Sequence, residues 1–94
     1  MSTRGSDKYD LILGFRYLHR PLFPLLVDAL RPGGLMIWET FTREQARRGG
    51  RPKRPEFLLE EGELVTLVEP LEVLRSREGE YEGRWLASVV ARKS

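Results

Sequence analysis

The 94 residues predict an α/β domain with a mixed, mainly parallel sheet of about four strands. Three observations carry that expectation. Leu11-Ile-Leu13 and Leu35-Met-Ile-Trp38 are short apolar runs without alternation, the pattern of strands covered on both faces, as in a parallel sheet. A helical stretch ending in Pro32-Gly33-Gly34 lies between them. The last third holds two further strand-like segments joined by a glycine-bounded turn.

Met1 to Lys8 is small and polar and reads as a disordered N-terminus, leaving 9–94 as one domain. Asp10 and Gly14 bracket the first strand. Pro21 and Pro24 suit the first turn of a helix, whose amides lack partners in any case. Leu22, Leu26 and Leu30 recur every four residues with Phe23 and Val27 beside them, giving one apolar face. Arg31 falls in the expected last turn, where a cation favours the carbonyl end, and Pro32-Gly33-Gly34 stops the helix. A strand–helix–strand unit of this length predicts parallel strands. Thr42 to Arg48 reads as a short helix, with Thr42 and Gln45 forming a capping box and Gly49-Gly50 ending it. Arg51 to Pro55 is a basic, proline-punctuated loop, and Phe57-Leu-Leu59 a short apolar insertion. A helix is expected over Glu61 to Val68, with Leu64, Leu67 and Val68 inward, and Pro70 ends it. Leu71 to Glu78 and Arg84 to Arg92 are strands, joined by a hairpin loop of about five residues, Gly79 to Gly83. Both faces of the final strand carry apolar groups, so it is expected inside the sheet.

Composition bounds the chemistry. With no cysteine and one histidine, neither disulfides, thiolate catalysis nor a zinc site is expected. No run of about 18 apolar residues is present, and the N-terminus has no signal-peptide pattern, so a cytoplasmic location without membrane contact is expected. The net charge of +2 hides an asymmetry. Arg43 to Arg54 holds six basic residues and one acid, whereas Glu56 to Glu82 holds nine acids against Arg75 and Arg77. Two such segments are expected to attract each other, within one chain or between copies. The basic loop around Arg47 to Arg54 has no aromatic residue to stack on bases, which argues against nucleic acid.

Tyr9-Asp-Leu-Ile12, Leu30-Arg-Pro-Gly-Gly-Leu35 and the closing hairpin together resemble the second half of the class I S-adenosylmethionine-dependent methyltransferases, from about Tyr9 to Lys93. Trp38-Glu-Thr-Phe41, with Phe57-Leu-Leu59 and Gly62-Glu-Leu64, looks similar to the tellurite-resistance-like, small-molecule branch. The resemblance implies a truncated Rossmann-like half with sheet order four, five, seven, six in family strand order and strand seven antiparallel. The family's strand, Gly-x-Gly turn and helix, followed by an acid after a second strand, has no counterpart here. Gly33-Gly34 and Gly49-Gly50 are the only glycine pairs, and neither opens a helix after a strand.

The resemblance makes the loop after the first strand half of a cofactor pocket, with Arg16, Tyr17 and His19 as its cofactor-binding residues. S-adenosylmethionine is expected only if the missing half is supplied, and not on the isolated chain. His19 is the catalytic candidate, a general base near neutral pH or simply a border of the following helix. Arg16 reads as a carboxylate partner or a solvated arginine, and Tyr17 as a stacking platform or a partly buried ring. Glu39 and Thr40, at a strand's carboxyl end, are the substrate candidates. The leading expectation is a methyltransferase-like half-domain, inactive alone, that forms a homodimer through the open apolar edge Leu11 to Leu13. One alternative is a methyltransferase completed by an N-terminal half. Another is a small module that uses the basic loop on nucleic acid or an acidic partner.

Overall fold

The computed structural model describes residues 8–94, so the predicted disordered segment lies, Lys8 apart, outside the described residues. Along the chain come β1 (Tyr9–Phe15), α1 (Leu22–Ala29), β2 (Leu30–Phe41), α2 (Arg43–Arg47), α3 (Glu63–Leu67), β3 (Glu72–Tyr81) and β4 (Arg84–Arg92). A single 3-10 turn, Pro55–Phe57, sits between α2 and α3. The strands form one sheet in the order β1-β2-β4-β3. β1 and β2 are parallel, and β4 runs antiparallel to both its neighbours. The expected order and the internal position of β4 are both present.

Alternation along β2 places the core. Met36, Trp38 and Thr40 face one way, opposite Ala91, Val89 and Ala87 of β4. Phe23 and Val27 of α1 and Leu64 of α3 join that cluster, with Leu59 and Val68. Phe23, Leu30, Met36, Leu59, Val68 and Val89 are each under 2 % exposed. Burial at that level places each among side chains worth about 1.5–3 kcal/mol. The sheet's other face carries no helix among the described residues. Accordingly Leu11 and Leu13 remain 50 % and 54 % exposed. The unalternating run of β1 is therefore covered on one face, not two.

Four local expectations are corrected. α1 ends at Ala29, two residues before Arg31, because Leu30 already has an extended backbone (φ −79°, ψ 136°). Leu30 is fully buried and enters β2 as the partner of Tyr9. The cation at the helix's carbonyl end is instead Lys93, whose Nζ donates to the carbonyls of Val27 (2.9 Å), Asp28 (3.3 Å) and Leu30 (2.7 Å). Thr42 occupies the N-cap position of α2 without a side-chain cap bond. The capping box fails because Gln45 is used elsewhere: its Nε2 donates to the Arg51 carbonyl (3.0 Å) and its Oε1 accepts from the Trp85 amide (2.8 Å). α3 is shorter than expected and begins after Gly62, whose φ of 72° breaks the helix before Glu63. The hairpin loop has two residues, not five. Glu82 (φ 53°) and Gly83 (φ 83°) both take the left-handed region that a two-residue turn between right-twisted strands requires.

Lys93 joins the chain's end to α1 through charge-assisted hydrogen bonds. Lys93→Met should lower stability by about 1–2 kcal/mol. Urea unfolding followed by circular dichroism will read this as a lower midpoint at unchanged slope.

Candidate functional site

The carboxyl ends of β1 and β2 lie side by side, with Gly14 opposite Trp38 and Phe15 opposite Glu39. The chain leaves β1 sharply. Arg16 has φ 60°, uncommon for a residue with a Cβ, and its amide donates to the Glu39 carbonyl at 2.8 Å. The Trp38 indole then donates to the Tyr17 carbonyl at 2.9 Å, and Leu18 turns into the core at 5 % exposed. The carbonyls of His19 and Arg20 accept from the amides of Leu22 (3.0 Å) and Phe23 (3.1 Å), which starts α1. The loop from Arg16 to Pro21 is thus held at both ends while its side chains point apart.

The predicted site residues divide between the two sides of the sheet. The Arg16 guanidinium lies over the Phe41 ring, 5.3 Å from its centre, on the face without helices. Glu39 is half-buried on that same face by the alternation of β2. Thr40 points the other way and is 2 % exposed, inside the core. Tyr17 is 53 % exposed, so its ring is not the partly buried group of one expectation. His19 is exposed and borders a depression of about 190 Å³ with Leu18, Arg20, Pro21, Glu56 and Phe57. Arg16 and Glu39 are brought together; His19 and Thr40 are not part of that group. Asp10 pairs with Arg31 at 3.2 Å in an exposed position, where such pairs contribute little.

Arg20 stands out in the geometry, although its sequence context did not mark it. Its Nη2 donates to Glu63 Oε1 (2.9 Å) and to the Leu58 carbonyl (2.8 Å), and its Nε also bonds Glu63. Glu63 accepts in addition from the Glu60 amide at 2.9 Å. The Arg20 hydrogen bond holds the Glu63 carboxyl below its usual range, against partial burial that would raise it.

A larger depression, about 390 Å³, opens beyond the end of β2, lined among others by Arg43, Arg47, Glu60, Glu78 and Trp85. Here the basic and acidic segments meet, with Arg43 and Glu60 2.8 Å apart. Arg47 and Arg48 close instead on nearby Glu44 (3.0 and 2.8 Å), and the Arg48 guanidinium covers the Trp85 ring at 4.8 Å. Arg48, and then Arg47, keep the Glu44 carboxyl below its ordinary range. Sequence reasoning missed this depression because Trp85 and Glu78 come from the hairpin, far along the chain from Arg43.

No family model and no curated protein matches the sequence. Solved structures do match. N-methyltransferase NodS from Bradyrhizobium japonicum WM9 superposes with a TM-score of 0.66 at 19 % identity, covering 99 % of this chain and 54 % of its own. A SAM-dependent methyltransferase from Methanosarcina mazei gives 0.67 at 16 % identity, over 99 % and 63 %. The fold of this chain is thus that of about half of each of these methyltransferase structures. The cyclase SpnF shares it, with a TM-score of 0.70 at 12 % identity over 99 % of this chain and 52 % of its own. The chain therefore spans between half and two thirds of the length of these methyltransferase-fold structures. Among the described residues, no helix is long and apolar enough to cross a membrane.

Proposed function

We propose that this chain is the C-terminal half of a methyltransferase-like fold, inactive by itself, that supplies one wall of a methyl-donor pocket. The observation that carries the reading is the mismatch in coverage: 99 % of this chain lies on 54 % of NodS.

The side chains fit a wall and not a whole pocket. Tyr17 offers an exposed ring for stacking, and Arg16 a guanidinium that can meet a carboxylate. Glu39 sits at the strand end, where open α/β sheets take ligands. The β1–α1 connection, Arg16 to Pro21, contains no glycine, so a bound molecule's approach to its backbone is limited by Cβ atoms. If a complement completes the site, the donor supplies an electrophilic methyl group. The work of this chain is then to orient the reactants and exclude water. His19, exposed and beside the depression lined by Arg20 and Phe57, is the candidate base of this reading. The finer likeness to the tellurite-resistance-like branch, and a cytoplasmic location, belong to the same reading.

β1 is the sheet edge, paired on one side by β2, and Lys8 and Asp10 are the charges nearest its start. Such an edge recruits another strand. Two copies joined along β1 would form one eight-stranded sheet, doubling the four strands seen. Size-exclusion chromatography with light scattering should give a dimer at micromolar concentration. Ile12→Pro, which puts a proline inside the edge strand, should give a monomer. A monomeric wild type removes self-association from the reading.

A further inference from the structure

α2 and the loop after it bring three cations to one small depression. Arg43 and Arg47 stand four residues apart on α2 and so share a face. The chain turns at Gly49 (φ 86°) and returns past Gln45, whose Nε2 donates to the Arg51 carbonyl. Lys53 thereby joins Arg43 and Arg47 around a depression of about 130 Å³, with Ala46, Pro55 and Leu58 as its other walls. Among the described residues no carboxylate lines it. Arg43 meets Glu60 through Nε at 2.8 Å, and Arg47 meets Glu44 through Nη1 at 3.0 Å. A guanidinium carries five N–H donors, so others remain on both. Lys53 forms no ion pair among the described residues, and its Nζ donates to the Gly49 carbonyl at a long 3.3 Å.

Arg43 and Arg47 also line the larger depression of about 390 Å³, so the two hollows adjoin. The other charges of the larger one are carboxylates: Glu44, Glu60, Glu61 and Glu78. The sign of the charge therefore reverses from one hollow to the next. We propose that the pair binds a small phosphomonoester with an amine-bearing body, the phosphate between Arg43, Arg47 and Lys53 and the ammonium among the carboxylates. Guanidinium forks match phosphate oxygens, and charge-assisted bonds to them are the stronger kind. Whole ligands take about 300–1,000 Å³, a range that includes the larger hollow, whereas the smaller suits a single group. A nucleic-acid backbone is the poorer occupant. Arg47 to Arg54 holds no aromatic residue, the nearby Trp85 ring is already covered by Arg48, and the carboxylates repel a chain of phosphates. The site uses none of Arg16, Tyr17, His19 or Glu39, so it stands apart from the half-pocket reading.

The test titrates the isotope-labelled chain with glucosamine-6-phosphate, glucose-6-phosphate and glucosamine, following amide shifts by nuclear magnetic resonance. The amides of Ala46, Arg47 and Lys53 should move most. Glucosamine-6-phosphate should bind about tenfold tighter than glucosamine, which lacks the phosphate. It should bind about threefold tighter than glucose-6-phosphate, which lacks the amine, with both margins shrinking as salt rises. Lys53→Gln, at an exposed position, should weaken both phosphates about fivefold. Glu61→Gln, also exposed, should weaken glucosamine-6-phosphate and spare glucose-6-phosphate. Arg75→Gln on β3, which lines neither hollow, should change nothing. Equal binding of glucosamine and glucosamine-6-phosphate overturns the proposal, as does equal binding of the two phosphates. So does a loss from Arg75→Gln as large as that from Lys53→Gln, since diffuse charge would then explain the affinity. Tighter binding of a single-stranded RNA that Lys53→Gln abolishes also overturns it, in favour of a phosphodiester backbone.

Discussion

Gly14→Val should destabilise the domain by about 3 kcal/mol, the upper end of the cost of overpacking a core. Gly14 lies in β1 directly opposite Trp38, and a Cβ built on it would sit 2.3 Å from two carbons of the indole. The indole has nowhere to move. It is 3 % exposed, its Nε1 is bound to the Tyr17 carbonyl, and it packs on Phe23 with ring centres 4.9 Å apart. Against a total stability of about 5–15 kcal/mol for a domain of this class, the loss is large enough to see in any denaturant series. The effect should be coupled to the ring. Gly14→Ala combined with Trp38→Leu should cost less than the sum of the two single changes, because the smaller side chain admits the methyl group. Additive losses, or a wild-type midpoint for Gly14→Val, would show that β1 and Trp38 are not packed this way.

Arg20→Ala should cost about 2 kcal/mol through the loss of charge-assisted hydrogen bonds to Glu63 and to the Leu58 carbonyl. The guanidinium is a third exposed, which keeps the effect below that of a fully buried pair. The pair also sets a pH dependence. Glu63 has its pKa lowered in the folded chain from the ordinary value of 4.5. Its contribution to stability is therefore complete above that value and is lost as the pH falls through the lower, folded one. The hydrogen bond to Glu63 raises the Arg20 guanidinium further, so it stays charged throughout. Urea midpoints taken between pH 3 and pH 7, the interval that brackets an ordinary carboxylate, should fall toward acid less steeply in Glu63→Gln than in the wild type. Parallel curves would remove Glu63 from the acid response.

The β1–α1–β2 unit was readable because local chemistry settles it. Pro21 and Pro24 open the helix, the apolar spacing of Phe23 and Val27 fixes its buried face, and Leu35 to Trp38 has the residues of a strand. What escaped depends on partners far along the chain. The end of α1 is set by Lys93, more than sixty residues away from Leu30. Gln45 abandons a cap for the amide of Trp85, forty residues on. The hairpin is tighter than its glycines suggested because Glu82 itself accepts a positive φ. An apolar run also does not say whether both its faces are covered. β1 looks in sequence like a buried strand, yet one of its faces is open among the described residues.

Of the candidate site, the sequence made legible which strand ends adjoin but not which side chains come together. The carboxyl ends of β1 and β2 meet where the sequence placed them, and Arg16 and Glu39 share a backbone hydrogen bond there. Period-two geometry separates neighbours in sequence, so Thr40 turns into the core while Glu39 does not. The bend at Arg16 likewise sends the His19 side chain to a different depression. Arg20, the most heavily bonded side chain of the loop, had no sequence mark because its partner Glu63 belongs to the acidic third.

Isothermal titration of S-adenosylmethionine into the purified chain tests the half-pocket most directly. The prediction is no saturable heat up to about 1 mM ligand, the concentration at which even binding worth about 4 kcal/mol would register. Saturation with a dissociation constant near 1 μM, about 8 kcal/mol, would mean that these residues enclose the donor unaided and would contradict the account.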